Sequence, residues 1–397
     1  MAQSKTPPPS PPRGFTLIEL LVGAVTTTII LSAVAVTVMG VQASYQTESR
    51  IKVAVEGLRT ATSFIEQRMR LAGYGVDPRI AFDFGTTVLP SNLKANYSVV
   101  LGTGIPNAVT DDLAFRYRDA AWMRRGRYAG ASGIQLETGS TFGMNFAKNQ
   151  RFIVSCRGGE SYLVVKAGAS GVSKDAAQAS GLTVDKALSS VADDEACLGR
   201  TGDQAPFILL LHEVRIRVVN LGGRPFLMAF QGLDELDMST AVPLVADVES
   251  FQVAYVMNRP SPTSTHAKLD AVDKTSTGPN WVLGDVGSVA TDRFPDVMAS
   301  PAPTYKTPYE HASRYNRHPA NIRAVRVSIG VRSTSREPNG RRAFERVNLE
   351  DSTEAAVADG FYRTNTSTTV RVPNLMSRSA FNPPVGDQAS GLNAWGG

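Results

Sequence analysis

A chain of 397 residues with 42% hydrophobic and 19% charged side chains can bury a sizeable core and is too apolar for a disordered tail. Its formal charge of +5 is a weak imbalance for that length, so a polyanion partner would have to be argued from where the arginines lie. Two cysteines rule out a disulfide-dense scaffold, and four scattered histidines make acid–base catalysis a poor expectation.

Residues 1–14 hold Pro7, Pro8, Pro9, Pro11 and Pro12, which excludes a helix, together with Lys5 and Arg13. They read as a targeting leader. From Phe15 to about Val41 the one ionisable side chain is Glu19. At 1.5 Å per residue this run is long enough to cross a bilayer, so 15–41 is predicted to be a transmembrane helix. A basic leader, with no further basic residue until Arg50, places the N-terminus in the cytoplasm and the rest across the membrane. A lone carboxylate in hydrocarbon costs on the order of a few kcal/mol. The span offers Glu19 no Lys, Arg or His, so its partner is expected outside the chain. A cut after Gly14 would leave a new amine on Phe15 about one turn from Glu19, and that amine on one copy could pair with Glu19 of a neighbour.

The helix is predicted to continue through 42–75. Ile51, Val55, Leu58, Thr62, Ile65, Met69 and Ala72 recur at spacings of four and three, one helical face suited to packing on a sheet. Gly73 and Gly75 end the helix, and Pro78 prevents its resumption.

Residues 76–375 change to period two. Leu113, Phe115 and Tyr117 alternate with Ala114, Arg116 and Arg118; Val214, Ile216 and Val218 alternate with Glu213, Arg215 and Arg217. Phe251, Val253 and Tyr255, and Val325, Val327, Ile329 and Val331, repeat the pattern. These read as half-buried strands with one wet face, joined by 151–155, 161–166, 224–231 and 368–372. Strands without intervening helices predict a mainly antiparallel head covered by the helix, an α+β fold. Long inserts are expected near 167–204 and 258–319, and 376–397 reads as a flexible tail.

No catalytic constellation emerges. His212-Glu213 opens like a zinc-protease helix, but Ile216 stands where a second His is required, and the setting is a strand. Neither a phosphate loop nor a nucleophile elbow is present, and no cofactor, metal or enzymatic activity is expected. Arg116, Arg118, Arg124, Arg125 and Arg127, beside Trp122 and Tyr128, form a candidate basic contact surface; a second run spans Arg323 to Arg346. The alternative is that they keep exposed strands soluble and bridge to nearby acids, and nucleic acid is not expected as a partner. Cys156 and Cys197 both follow the span, and in an oxidising compartment an even pair reads as a disulfide, with buried free thiols the alternative.

The run Arg13-Gly14-Phe15-Thr16-Leu17-Ile18-Glu19-Leu20-Leu21-Val22 resembles the N-terminal signature of type IV prepilins and type II secretion pseudopilins. The resemblance implies cleavage by a prepilin peptidase between Gly14 and Phe15, N-methylation of Phe15, and use of Glu19 in fibre assembly. Later motifs extend it: the helix end Arg68 to Gly75, the strands Asp111 to Tyr117 and Ala246 to Tyr255, and the closing Thr368 to Asn374 resemble the PilW branch of minor pilins, relatives of the J-type pseudopilin. The two inserts, the proline-rich leader and Pro373, where this branch more often has an arginine, depart from it. A pilin-like fold is implied, with a subunit that primes a type IV pilus from the inner membrane and remains at the pilus tip. Implied partners are the peptidase, other minor pilins, the major pilin and a tip adhesin. The alternatives are a J-type pseudopilin of type II secretion, or a pilus-tip module binding a surface, polysaccharide or DNA.

Overall fold

The computed structural model describes residues 14–76, 78–83, 110–130, 133–156, 162–187, 198–232, 241–257, 282–283, 322–336, 349–350 and 360–376. Residues 1–13 of the expected leader and 377–397 of the expected tail lie outside these. So does the insert expected near 258–319, apart from a two-residue strand.

The chain divides into two compact units, Met1–Val53 and Ala54–Gly397. The first holds the N-terminal part of helix α1 (Leu17–Met69), where every described side chain from Gly14 to Ser49 is exposed. α1 is long and apolar enough to cross a membrane. Its five central hydroxyls suit that solvent: Thr26, Thr27, Thr28, Ser32 and Thr37 each donate to a carbonyl of the preceding turn, leaving no bare donor toward hydrocarbon.

In the second unit α1 gives way to a turn in which Gly73 and Gly75 take φ of +76° and +68°, values that a Cβ opposes. Pro78 begins a new single turn, α2 (Pro78–Ala81), where its missing N–H costs nothing. The helix thus resumes briefly, against expectation. The strands follow: β1 (Phe82–Asp83), β2 (Asp112–Tyr128), β3 (Ile134–Leu136), β4 (Arg151–Ser155), β5 (Tyr162–Lys166), β6 (Gln178–Ala179), β7 (Thr183–Ala187), β8 (Phe207–Leu221), β9 (Arg224–Gln231), β10 (Val242–Ala246), β11 (Val248–Met257), β12 (Val282–Leu283), β13 (Ile322–Arg332) and β14 (Arg363–Arg371), closed by α3 (Pro373–Met376). Part of the insert expected near 167–204 is therefore strand: β6 pairs with β3 and β7 with β5.

Among the described residues the strands form two sheets, and every pairing is antiparallel. The larger runs β6-β3-β2-β8-β4-β5-β7, with β1 on β2 and with β9 between β8 and β10; the smaller runs β12-β11-β13-β14. The long β8 organises the first sheet. One edge lies along β2, while the other pairs with β4 over its first half and with β9 over its second. Between Arg118 and Met123 the β2 register slips against Leu211 and Leu209, throwing out a wide bulge.

The C-terminal part of α1 buries Ala54, Leu58, Ala61, Ile65 and Met69, and the turn after it Ala72, in one core with Leu113 and Phe115 of the first sheet and Phe251, Val327 and Val370 of the second. The buried stripe is rotated from the predicted one: Ala54 and Ala61 lie in it, whereas Ile51, Val55 and Thr62 are only half-buried. Small residues win because the backbone comes close. A Cβ on Gly57 would stand 2.8 Å from Val245 Cγ2. A second core, with no residue from α1, gathers Trp122, Phe142, Phe146 and Phe152 beneath β2, β4, β5 and β8. Phe146 and Phe152 meet edge to face at 5.0 Å.

Candidate functional site

At the start of α1, Gly14 and Phe15 are exposed, Phe15 at 86%. Thr16 caps the helix, and Glu19 occupies the third helical position. Glu19 N–H donates to Thr16 Oγ1 (3.3 Å), while Glu19 Oε2 accepts from both the Thr16 backbone N–H (3.0 Å) and its hydroxyl (2.9 Å). This is a capping box, in which two N-terminal donors are satisfied reciprocally. Within the chain, Glu19 is thus met by uncharged donors from three residues away, and no cation lies in the span. Thr-x-x-Glu before an apolar run was the sequence signal for this box.

The basic surface expected on β2 is not one surface. Arg116 is 2% exposed, a correction to its place in that group. Its Nε lies 2.7 Å from Glu213 Oε1, its Nη2 2.9 Å from Asp83 Oδ2, and its Nη1 donates to the Ile80 carbonyl at 3.0 Å. Arg124 donates from Nε to the Thr141 carbonyl and stacks on Trp122. Arg125 lies over Phe207, and Arg127 donates twice to Gln135 Oε1. Trp122 offers no exposed face to a nucleotide base, because it is buried with its indole N–H on the Phe142 carbonyl. Arg118 alone of the five makes neither a side-chain hydrogen bond nor an ion pair among the described residues; its guanidinium lies 5.4 Å from the Tyr74 ring centre.

The second arginine run is also spent on internal contacts where it is described. Arg326 forms a forked pair with Glu350, and Arg332 sits 4.3 Å from the Phe361 ring centre. Arg341, Arg342 and Arg346 lie outside the described residues.

Arg116 belongs to a buried chain of alternating charges. Arg151 pairs with Glu213, Glu213 with Arg116, Arg116 with Asp83, Asp83 with Arg215 (3.9 Å), Arg215 with Asp112 (3.4 Å), and Asp112 with Arg217 (3.3 Å). Burial pulls the Arg116 pKa down, but Glu213 and Asp83 outweigh it and hold the group above its ordinary value. Burial pushes the Asp112 carboxyl up, against the pull of Arg215 and Arg217. The strand faces predicted to be wet are therefore interior. A charge pattern that alternates along one strand fits a solvated face and a cross-strand ion chain equally well.

The β2 bulge sets Asp119 where its Oδ1 accepts from the Ala121 and Trp122 backbone N–H groups, while its Oδ2 lies 2.8 Å from His212 Nε2. That histidine contact and those backbone bonds hold the Asp119 carboxyl below its usual range. His212 stacks on Tyr117 with ring centres 5.1 Å apart. It is a partnered strand histidine. Among the described residues no group of three or more His, Cys, Asp and Glu side chains is placed to hold a metal ion. Cys156, at the end of β4, is disulfide-bonded, and Cys197 lies outside the described residues.

Residues 218–374, from the second half of β8 into α3, match the family model described as PilW, type IV pilus-assembly protein W. No curated protein is a match to this sequence. Among solved structures the chain is similar to a type IV-like pilin from Thermus thermophilus, at 13% identity and a TM-score of 0.20, over 58% of this chain and 86% of that one.

Proposed function

We propose that this chain, a PilW-type pilin protein by its segment 218–374, is a membrane-anchored minor pilin that primes assembly of a type IV pilus with other minor pilins and stays near the pilus tip. Its role is structural, and its chemistry is confined to the N-terminal end of α1.

The observation that carries the reading is a Glu at the third position of an exposed apolar helix that begins directly after Gly14-Phe15-Thr16. In the membrane the helix stores the subunit, with the head on the periplasmic side. Thr16 satisfies the Glu19 carboxylate with neutral donors while the subunit is alone. Cleavage after Gly14 by a prepilin peptidase frees the Phe15 amine. As α1 passes from lipid into the fibre core, that amine on one subunit meets Glu19 on another. A charge-assisted bond then replaces neutral ones, and in a low-dielectric surrounding such a bond is the stronger. Assembly thus exchanges one satisfied carboxylate for another without exposing a bare charge to hydrocarbon.

The test is a count of surface fibres, by shear recovery and electron microscopy, in a deletion strain complemented with wild type or Glu19→Ala. Sparse fibres in the deletion, restored by wild type and poorly by the variant, are the expected result. Normal fibres with secretion lost would reassign the chain to a type II secretion pseudopilin. Normal fibres with adhesion lost would make it a binding module.

A further inference from the structure

Where α1 ends, the second unit holds an open cleft of about 650 Å³, the size of a small-ligand site. Phe64, Leu71 and Val242 give it an apolar wall, and Leu71 and Val242 are 41% and 46% exposed. Its charged lining groups are not equivalent. Glu213 is held by Arg116 and Arg151, and Asp119 by His212 and two backbone N–H groups. Lys148 is engaged as well. Arg68 and Arg118 form no ion pair among the described residues. Arg68 reaches only the Tyr117 hydroxyl, at 3.2 Å, and the Phe64 ring; Arg118 has only the Tyr74 ring.

Arg118 is also a built position. Its backbone N–H donates to the Tyr74 carbonyl at 2.7 Å, locking β2 to the turn that ends α1. The side chain lies along Gly75, where a Cβ would stand 2.8 Å from both Arg118 Cβ and Nε. Elsewhere in the described head, Arg116, Arg151, Arg224, Arg326 and Arg363 each meet a carboxylate. A held guanidinium without one, beside an apolar wall and aromatic rings, is the complement of a carboxylate on an apolar body.

We propose that this cleft docks a short acidic segment of a partner pilin, an Asp or Glu beside a large apolar residue, with Arg118 and Arg68 taking the carboxylate and the Phe64, Leu71 and Val242 wall taking the neighbour. The choice of a pilin as the source rests on the minor-pilin reading above; the chemistry of the site does not. Peptide is favoured over saccharide because the exposed wall is aliphatic as well as aromatic.

The test uses the full-length processed protein in nanodiscs, with fluorescence polarisation of two dye-labelled hexapeptide pools. One pool carries a single Asp or Glu beside Phe, Leu or Ile; the other carries Asn or Gln at the same places. The acidic pool should bind at least tenfold more tightly, and Arg118→Gln should abolish that preference with the thermal midpoint unchanged. Should Arg118→Gln fail to fold, the solvent-facing Arg68→Gln reads the same preference, with a loss of threefold or more expected. Equal binding of the two pools, absence of binding by both, or an acidic preference that survives the arginine change overturns the proposal. Binding of an oligogalacturonate in place of either pool also overturns it and assigns the cleft to acidic saccharides. Normal fibres in the deletion strain together with an Arg118-dependent acidic preference would retain the site and remove only the pilin as its source.

Discussion

Arg116 on β2 and Glu213 on β8 lie 97 residues apart in the chain and 2.7 Å apart in the fold, each almost wholly removed from solvent. Glu213 also holds Arg151, so one carboxylate ties three neighbouring strands. Replacing a buried ion chain entirely by apolar groups is often harmless, but removing one member strands the others. Glu213→Gln, which leaves Arg116 and Arg151 without their shared anion, should cost about 3–5 kcal/mol. Chemical denaturation of the full chain in detergent measures it; a loss below about 1 kcal/mol would show that water reaches the site.

Asp112 lies toward the other end of that chain, between Arg215 and Arg217. Burial raises its pKa despite Arg215 and Arg217. Between the ordinary carboxylate value of about 3.9 and that raised value, the folded protein holds a proton that the unfolded chain has released. This contribution therefore weakens the fold as pH rises through the window and stays constant above it. Wild type should gain stability relative to Asp112→Asn as pH is lowered from 7 through that window. Parallel profiles for the two proteins would contradict it.

The seam between α1 and the two sheets is set by small side chains. Ala61 is fully buried, so Ala61→Phe has no space and should destabilise the fold by about 1–3 kcal/mol. Ile65→Ala, which opens a cavity in the same core, should cost about 2–5 kcal/mol. Thermal unfolding separates both from Ser63→Ala on the exposed face of the same helix, which should leave the midpoint unchanged.

Much of this architecture was legible in the residues. Period 3.6 gives way to period two after Gly75, and the strands expected at 151–155 and 224–231 have those bounds in the fold. The buried stripe of α1 was misplaced because hydrophobicity favours Ile51 and Val55, whereas close approach favours Ala54 and Gly57. Arg116, Glu213 and Arg215 were assigned to a wet face because burial of a charge depends on partners supplied by other strands, which no local pattern reveals. The charge of Glu19 points to a distant cation, whereas its hydrogen bonds are met locally by Thr16, three residues away.

The disulfide at Cys156 should join it to Cys197, and non-reducing peptide mapping should recover the two cysteine peptides as one species. Cys156→Ser should then cost about 2–5 kcal/mol. Recovery of Cys197 as a free thiol would refute the pairing.

Thr16→Val keeps the shape of the side chain at the helix cap and removes its hydroxyl from the Glu19 carboxylate. If the box keeps unassembled subunits in the membrane, the variant should yield fewer fibres than wild type at equal protein level. Unchanged fibre number would mean that the hydroxyl is dispensable.

The aromatic core around Trp122 and Phe152 draws every residue from before position 218 and none from α1. The segment that matches the PilW model begins there and contains the whole β11-β13-β14 arrangement against which α1 rests. That aromatic interior is separate, but its strands are not free-standing, because Ile153, Val164 and Leu209 pack with Val76 and Ile80 and Arg151 is bound to Glu213. Substitutions confined to the aromatic interior should therefore leave the packing of α1 against β11, β13 and β14 unchanged.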